Sequence, residues 1–261
     1  MSKKISITFF FIFNLLIVQS QNTRITDRNT IGWYNQFVNF KLSSKWSGHL
    51  EYQWRRDNLL TNWQQSLLRV GLGYQFNQKL HLRLGYAWVE TFPYGDFNLQ
   101  AAGKTFPEHR FFQMASLSDQ VGTLSFNHRF MLEQRWIGRF TQPTLEKADD
   151  FNYANRMRYM VRIQKAIKTN KYADTELYAS LYDEVFIGFG KNVNENVFDQ
   201  NRLGLLLGYR FNKQFRLEGG FIQQILQLGR EIDSRNVFQY NNGVILNSII
   251  QLDFSRKKTK S

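Results

Sequence analysis

Cysteine is absent from the 261 residues, which excludes both a lipoprotein and a disulfide-stapled secreted domain. Proline is scarce: Pro93, Pro107 and Pro143 are the only three, and all fall in or beside candidate loops, where no ladder N–H is lost. The four histidines, His49, His81, His109 and His128, show no metal-ligand spacing. Apart from Gly219-Gly220 the glycines sit singly, with no phosphate-cradling glycine motif, and no cofactor or metal is expected. Beyond the first twenty residues no apolar run is long enough to cross a bilayer as a helix. Basic residues are plentiful, giving a net charge of +13. They are spread along the chain and in the tail SRKKTKS, without the one-sided patch and stacked aromatics of a nucleic-acid binder.

The N-terminus, MSKKISITFFFIFNLLIVQSQ, has the three parts of a secretory signal. Lys3 and Lys4 supply the charge, residues 5–18 the apolar stretch, and Val18 and Ser20 the small residues that a signal peptidase reads. The expected organisation is a cleaved signal over 1–20, one domain over 21–254 and a basic tail over 255–261. Aromatics make up 16% of residues, yet the mean hydropathy is negative. That combination arises when strands alternate between two environments.

Eleven alternating segments can be read, at 30–42, 46–55, 62–76, 79–92, 107–118, 122–136, 151–166, 174–189, 197–211, 214–228 and 236–254. Most are longer than the five or six residues typical of soluble strands and fit the roughly 9–11 of a tilted membrane strand. Short turns are expected at 43–45, 77–79, 118–120, 169–171 and 212–214, and longer loops at 56–61, 93–106, 137–150, 190–196 and 229–235. Short turns at one end and long loops at the other are the pattern of an outer-membrane barrel, with the turns periplasmic. Hydrocarbon leaves no partner for a bare sheet edge, so the sheet must close. The expected fold is therefore an all-β, transmembrane, antiparallel up-and-down barrel of 10–12 strands in the bacterial outer membrane. Eleven is odd where such barrels are even, so residues 21–29 are a candidate for part of a further strand. A soluble lipocalin-like barrel is the alternative, and strand length argues against it.

The period of two sorts the faces. Leu80, Leu82, Leu84, Tyr86 and Trp88 share one face, against His81, Arg83, Gly85 and Ala87. The apolar rows would meet lipid, leaving as lumen-lining candidates Arg55, Arg69, Arg83, Arg129, Arg135, Arg156, Arg158, Arg162, Arg202, Arg210 and Arg216. With them go Glu51, Glu133, Glu176, Glu184 and Glu218. A ring of arginines in a narrow tube focuses positive potential and would select small anions. The same residues could equally form Arg–Glu pairs that brace the wall. Asp183, Asn155, His128 and Gln223 fall on the lipid rows, and a β-bulge could turn Asp183 inward. Ser47, His49 and Glu51 share one inward row, the composition of a hydrolytic triad, close to a periplasmic turn. Glu108, His109 and Arg110 read as exposed loop surface.

The runs Glu51-Tyr52-Gln53-Trp54-Arg55-Arg56, Arg69-Val70-Gly71-Leu72-Gly73-Tyr74, Glu133-Gln134-Arg135, Asn155-Arg156-Met157-Arg158-Tyr159 and Asp199-Gln200-Asn201-Arg202 add a family resemblance. Together they resemble a family of Gram-negative outer-membrane β-barrels known only as a domain of unknown function. The resemblance spans residues 31–254 and implies a barrel and a location, with no catalytic or binding residues to carry over. The functions open to such a chain are a narrow, porin-like channel or transporter for small anionic solutes, a non-conducting interaction barrel acting through loops 93–106 and 137–150, and, third, a lipid-modifying enzyme. A non-enzyme is expected. Its expected partners are outer-membrane lipids, lipopolysaccharide phosphates met by Lys104, Arg110, Arg139 and Lys147, and the barrel-assembly machinery, to which the final strand ending at Phe254 would be presented.

Overall fold

The structure, a computed structural model, describes residues 24–193 and 197–255. The signal segment, its cleavage site, residues 21–23 and most of the basic tail lie outside the described residues. Eleven strands run in chain order: β1 (Arg24–Lys41), β2 (Trp46–Asp57), β3 (Asn62–Gln75), β4 (Leu80–Thr91), β5 (Phe106–Val121), β6 (Leu124–Arg139), β7 (Asp150–Asn170), β8 (Thr175–Phe189), β9 (Phe198–Arg210), β10 (Phe215–Ile232) and β11 (Arg235–Asp253). Each pairs antiparallel with the next, and β1 closes on β11, so the sheet is a closed barrel.

The closing pair is parallel. An odd number of up-and-down strands leaves the first and last running the same way, so closure has no antiparallel option. Residues 24–29 make no extra strand; they lengthen β1. The parallel seam is held in register by side chains of directly paired residues on the inner face. Asn29 Nδ2 donates to Asn241 Oδ1 at 3.0 Å, Asn35 to Asn247 at 2.8 Å, and Gln239 Nε2 to Asp27 Oδ2 at 3.0 Å. A one-residue slip would break all three and turn them outward. Gly243 lets the strands approach there, since a Cβ on it would sit 1.7 Å from the Ile31 carbonyl oxygen.

Three boundaries differ from the sequence pattern. The turn expected at 118–120 is strand, and the chain reverses at Gly122, whose φ of +60° suits a residue without Cβ. The turn expected at 169–171 falls later, because β7 continues to Asn170. The loop expected over 229–235 is a two-residue turn at Asp233 and Ser234, both at positive φ (50° and 57°). That is the twist a hairpin prefers, reached here without the glycine that usually announces it.

The outer wall is apolar. Leu50, Leu68, Val70, Leu72, Leu84, Leu205, Leu207, Val244 and Leu246 all point out and are exposed. Aromatics pack together towards the strand ends: Trp46 with Tyr74 and Phe211 with Phe215 by the short turns, and Trp54 with Trp63 and Trp136 with Tyr153 towards the other rim. Polar residues on this wall come in hydrogen-bonded pairs between neighbouring strands. His128 Nδ1 and the Tyr159 hydroxyl lie 2.9 Å apart, Gln113 Nε2 donates to Gln134 Oε1 at 3.0 Å, and Gln223 Nε2 to Asn242 Oδ1 at 3.0 Å. Asp183 stays outward, with no bulge at its position, and accepts from Asn201 Nδ2 at 2.7 Å. Asn155 is met by Tyr153 of its own strand, whose hydroxyl donates at 2.7 Å. In hydrocarbon such pairing is what makes an outward polar side chain tolerable.

Candidate functional site

The inner face carries two kinds of side chain. Apolar ones fill the wall near β1 and β9–β11, where Ile31, Trp33, Leu206, Ile222 and Ile245 form one cluster, and Phe112, Met114 and Met131 form another across the barrel. Between them lies a layer of ion pairs. Glu133, 0% exposed, accepts from Arg156 Nε at 2.8 Å and from Arg158 Nη1 at 2.8 Å. Arg158 also donates to Glu184 at 2.8 Å, as Arg129 does at 2.9 Å, and Arg156 to Asp199 at 2.7 Å. Phe186, 0% exposed, stacks under Arg158 and Arg202, whose Cζ atoms lie 4.4 and 4.5 Å from the ring centre. Water-inaccessible side chains thus pack the barrel at this level. A buried pair of this kind repays its desolvation only when its donors and acceptors are met; shared carboxylates meet most of them here, and the buried Nε of Arg129 has no partner among the described residues.

Two satellite clusters flank this layer. Glu108 accepts from Arg110 at 2.7 and 2.8 Å and from Arg135 at 2.5 Å. Glu51 accepts from Arg69 at 2.7 Å and lies 3.1 Å from His49 Nε2. Nearer the short turns, Glu218 accepts from Arg162 at 2.6 Å and from the Tyr178 hydroxyl at 2.8 Å, and Arg210 reaches Glu176 at 3.3 Å. Arg83 and Arg216 share the inner faces of β4 and β10 and make no hydrogen bond among the described residues; the Nε of each is buried. Of the sixteen lumen candidates, most are therefore drawn into carboxylate pairs, while Arg55, Arg83, Arg202 and Arg216 stand without a carboxylate among the described residues.

Above the ion-pair layer, towards the long loops, lies an open cavity of about 470 Å³. Arg55, Arg110, Arg135, Arg139, Arg156, Arg202 and Arg230 line it, against the carboxylates Glu108 and Asp199. Neutral hydrogen-bonding groups fill the gaps: Gln64, Gln65, Thr91, Tyr94, Gln200 and Gln224. The segment between β4 and β5 folds into the mouth instead of projecting. Its Tyr94 hydroxyl donates to Gln239 Oε1 on the opposite wall at 2.8 Å, and its Asn98 carbonyl accepts from Arg230 at 2.8 Å. Gly95, at φ +70°, packs against Asp27 and Asn29, where a Cβ would have no room. Burial pushes the Tyr94 hydroxyl up to about 12, so it stays a donor at any physiological pH.

This geometry corrects one expectation and bears on one minor candidate. Glu108 and Arg110 are not loop surface: β5 begins at Phe106, so the period of two carries both inward and leaves His109 outside, beside Tyr86. Arg110 is thereby unavailable to an external phosphate. The Ser47, His49 and Glu51 row does not assemble a triad. Ser47 Oγ lies 3.3 Å from His81 on the next-but-one strand, while His49 binds Glu51 and Asn39. The carboxylate stays with His49 on its own strand, while the hydroxyl turns to His81 on β4, so the two serve different imidazoles. Residues that patterning did not single out include Trp33, Phe112, Tyr178, Phe186, Leu206 and Ile222. Large apolar residues on an inward row gave the only signal.

The fold and the site define a class: a single-chain closed β-barrel with an apolar outer wall, an interior packed by ion pairs and a basic cavity at its long-loop end. The chain belongs to the family described as a protein of unknown function, DUF2490, which matches residues 30–235. No curated protein matches the sequence. Among solved structures, the NanC porin in a rhombohedral crystal form is similar at 11% identity and a TM-score of 0.42, covering 80% of this chain and 92% of that one.

Proposed function

We propose that the protein is an outer-membrane barrel, delivered by a cleaved signal peptide, which takes small anionic solutes into the basic cavity at its long-loop end and passes them only when the ion-pair layer yields. The observation that carries this reading is the imbalance of the cavity: seven arginines against two carboxylates. A low-dielectric wall with such an excess attracts anions and repels cations. The apolar outer wall with its internally paired polar residues supports the membrane location. The role is read as non-enzymatic, since the serine and the carboxylate of the candidate triad serve different histidines. The assembly machinery and lipopolysaccharide phosphates at the rim remain its proposed partners.

The buried layer around Glu133 favours a second reading, a barrel that holds an anion without conducting it. Conductance of the refolded protein in a planar bilayer under a salt gradient separates the two. Anion-selective steps support passage. Silence from a demonstrably folded barrel removes transport and leaves binding.

A further inference from the structure

We infer that the floor of the cavity is a specific oxyanion subsite, formed by Arg202 and Arg55 and backed by Trp33, which takes the carboxylate or phosphate group of a small solute; this rests on the cavity reading above and names its ligand class. Both guanidinium groups lie against the Trp33 ring, with Arg55 Cζ 4.0 Å and Arg202 Cζ 4.8 Å from its centre. The indole is itself fixed, since Trp33 Nε1 donates to Gln64 Oε1 at 2.7 Å. Arg55 is 5% exposed and Arg202 8%. Burying a charge at this level demands a counter-charge, and each arginine of the neighbouring layer has at least one. Among the described residues these two do not.

Their local partners are neutral amides. Arg55 donates to Gln65 Oε1 at 2.6 Å and to Gln53, and its Nε has no partner. Arg202 spends only Nε, on Gln200 Oε1 at 3.0 Å. Among the described residues its two terminal nitrogens make no hydrogen bond, and the residue lines the cavity. A planar fork with free terminal donors, packed against aromatic rings, matches the two oxygens of a carboxylate or phosphate and not a spherical halide. The wall around it is therefore built to leave two positive charges for a ligand to neutralise.

The test is calorimetric titration of the refolded, detergent-solubilised full chain with inorganic phosphate, sodium acetate and sodium chloride at matched ionic strength. Saturable binding of phosphate or acetate at one site, with chloride weaker, is the expected result. Which of the two binds more tightly distinguishes a phosphoryl from a carboxylate ligand. Arg202→Gln should weaken that binding on the order of ten- to a hundredfold, as expected for losing charge-assisted hydrogen bonds. Arg202→Lys keeps the charge and loses the fork, so it should fold even where the neutral variant does not and should lose the preference for oxyanion over chloride. Lys213→Gln, on an exposed turn, should change nothing. Unchanged affinity and preference in the Arg202 variants, or no saturable binding by the folded parent, overturns the subsite. Anion-selective current with an Arg202-independent affinity would sink the subsite alone. Binding without current would sink transport alone.

Discussion

Replacing Glu133 by Gln tests whether the middle of the barrel is dry. Glu133 sits between Arg156 and Arg158, is fully buried, and accepts from both. Gln has the same shape but places an NH₂ group where one carboxylate oxygen faced a guanidinium, so donor meets donor. It also strips one negative charge from a cluster of arginines. Breaking a buried ion pair from one side costs about 3–5 kcal/mol. Arg156 keeps Asp199 and Arg158 keeps Glu184, so we predict a loss of about 3 kcal/mol, at the low end of that range. The assay is urea unfolding of both proteins refolded into lipid vesicles, followed by tryptophan fluorescence and by gel mobility with and without heating. A loss below about 1 kcal/mol, the scale of exposed ion pairs, would refute the packed layer. It would mean that water already solvates these arginines and that the lumen is open at mid-height.

Three further outcomes follow from other parts of the wall. Asp183→Asn keeps an oxygen for Asn201 and removes a carboxylate from the apolar outer wall, so, if that wall meets lipid as proposed, stability in vesicles should rise by about 1 kcal/mol; a fall would place that face against protein or water. Gly243→Ala forces a methyl group into the Ile31 carbonyl across the parallel seam, and the fraction of heat-modifiable, folded barrel should drop sharply, whereas Gly122→Ala, at a turn with open space around it, should cost far less. The hydroxyl and amide of Thr141 donate to Asp149 and hold its carboxyl below the ordinary 3.8. A depressed carboxyl contributes above its unfolded value and loses that contribution as pH falls through the folded one, so exchange of the Thr141 amide should accelerate below pH 3.8, and Thr141→Val, which keeps the amide and loses the hydroxyl, should shift that acceleration towards higher pH.

The period of two was legible residue by residue. Leu82, Leu84, Tyr86 and Trp88 had to share a face opposite Arg83 and Gly85, because alternation is a local property of extended backbone. Long strands with dispersed polar residues then required a closed sheet, since open edges have no partner in hydrocarbon. Parity and partnership are different in kind. Nothing local to β1 says that it will lie parallel to β11, and Asn35 and Asn247, 212 residues apart, declare their contact only when the ring closes. The same holds for charge. On one strand Arg156, Arg158 and Arg202 look alike, an inward arginine each; only the register of β6 to β9 gives the first two their carboxylates and leaves Arg202 facing the cavity. Alternation is written in neighbours along the chain, whereas which buried charge is neutralised depends on distances between strands, which exist only in the folded barrel.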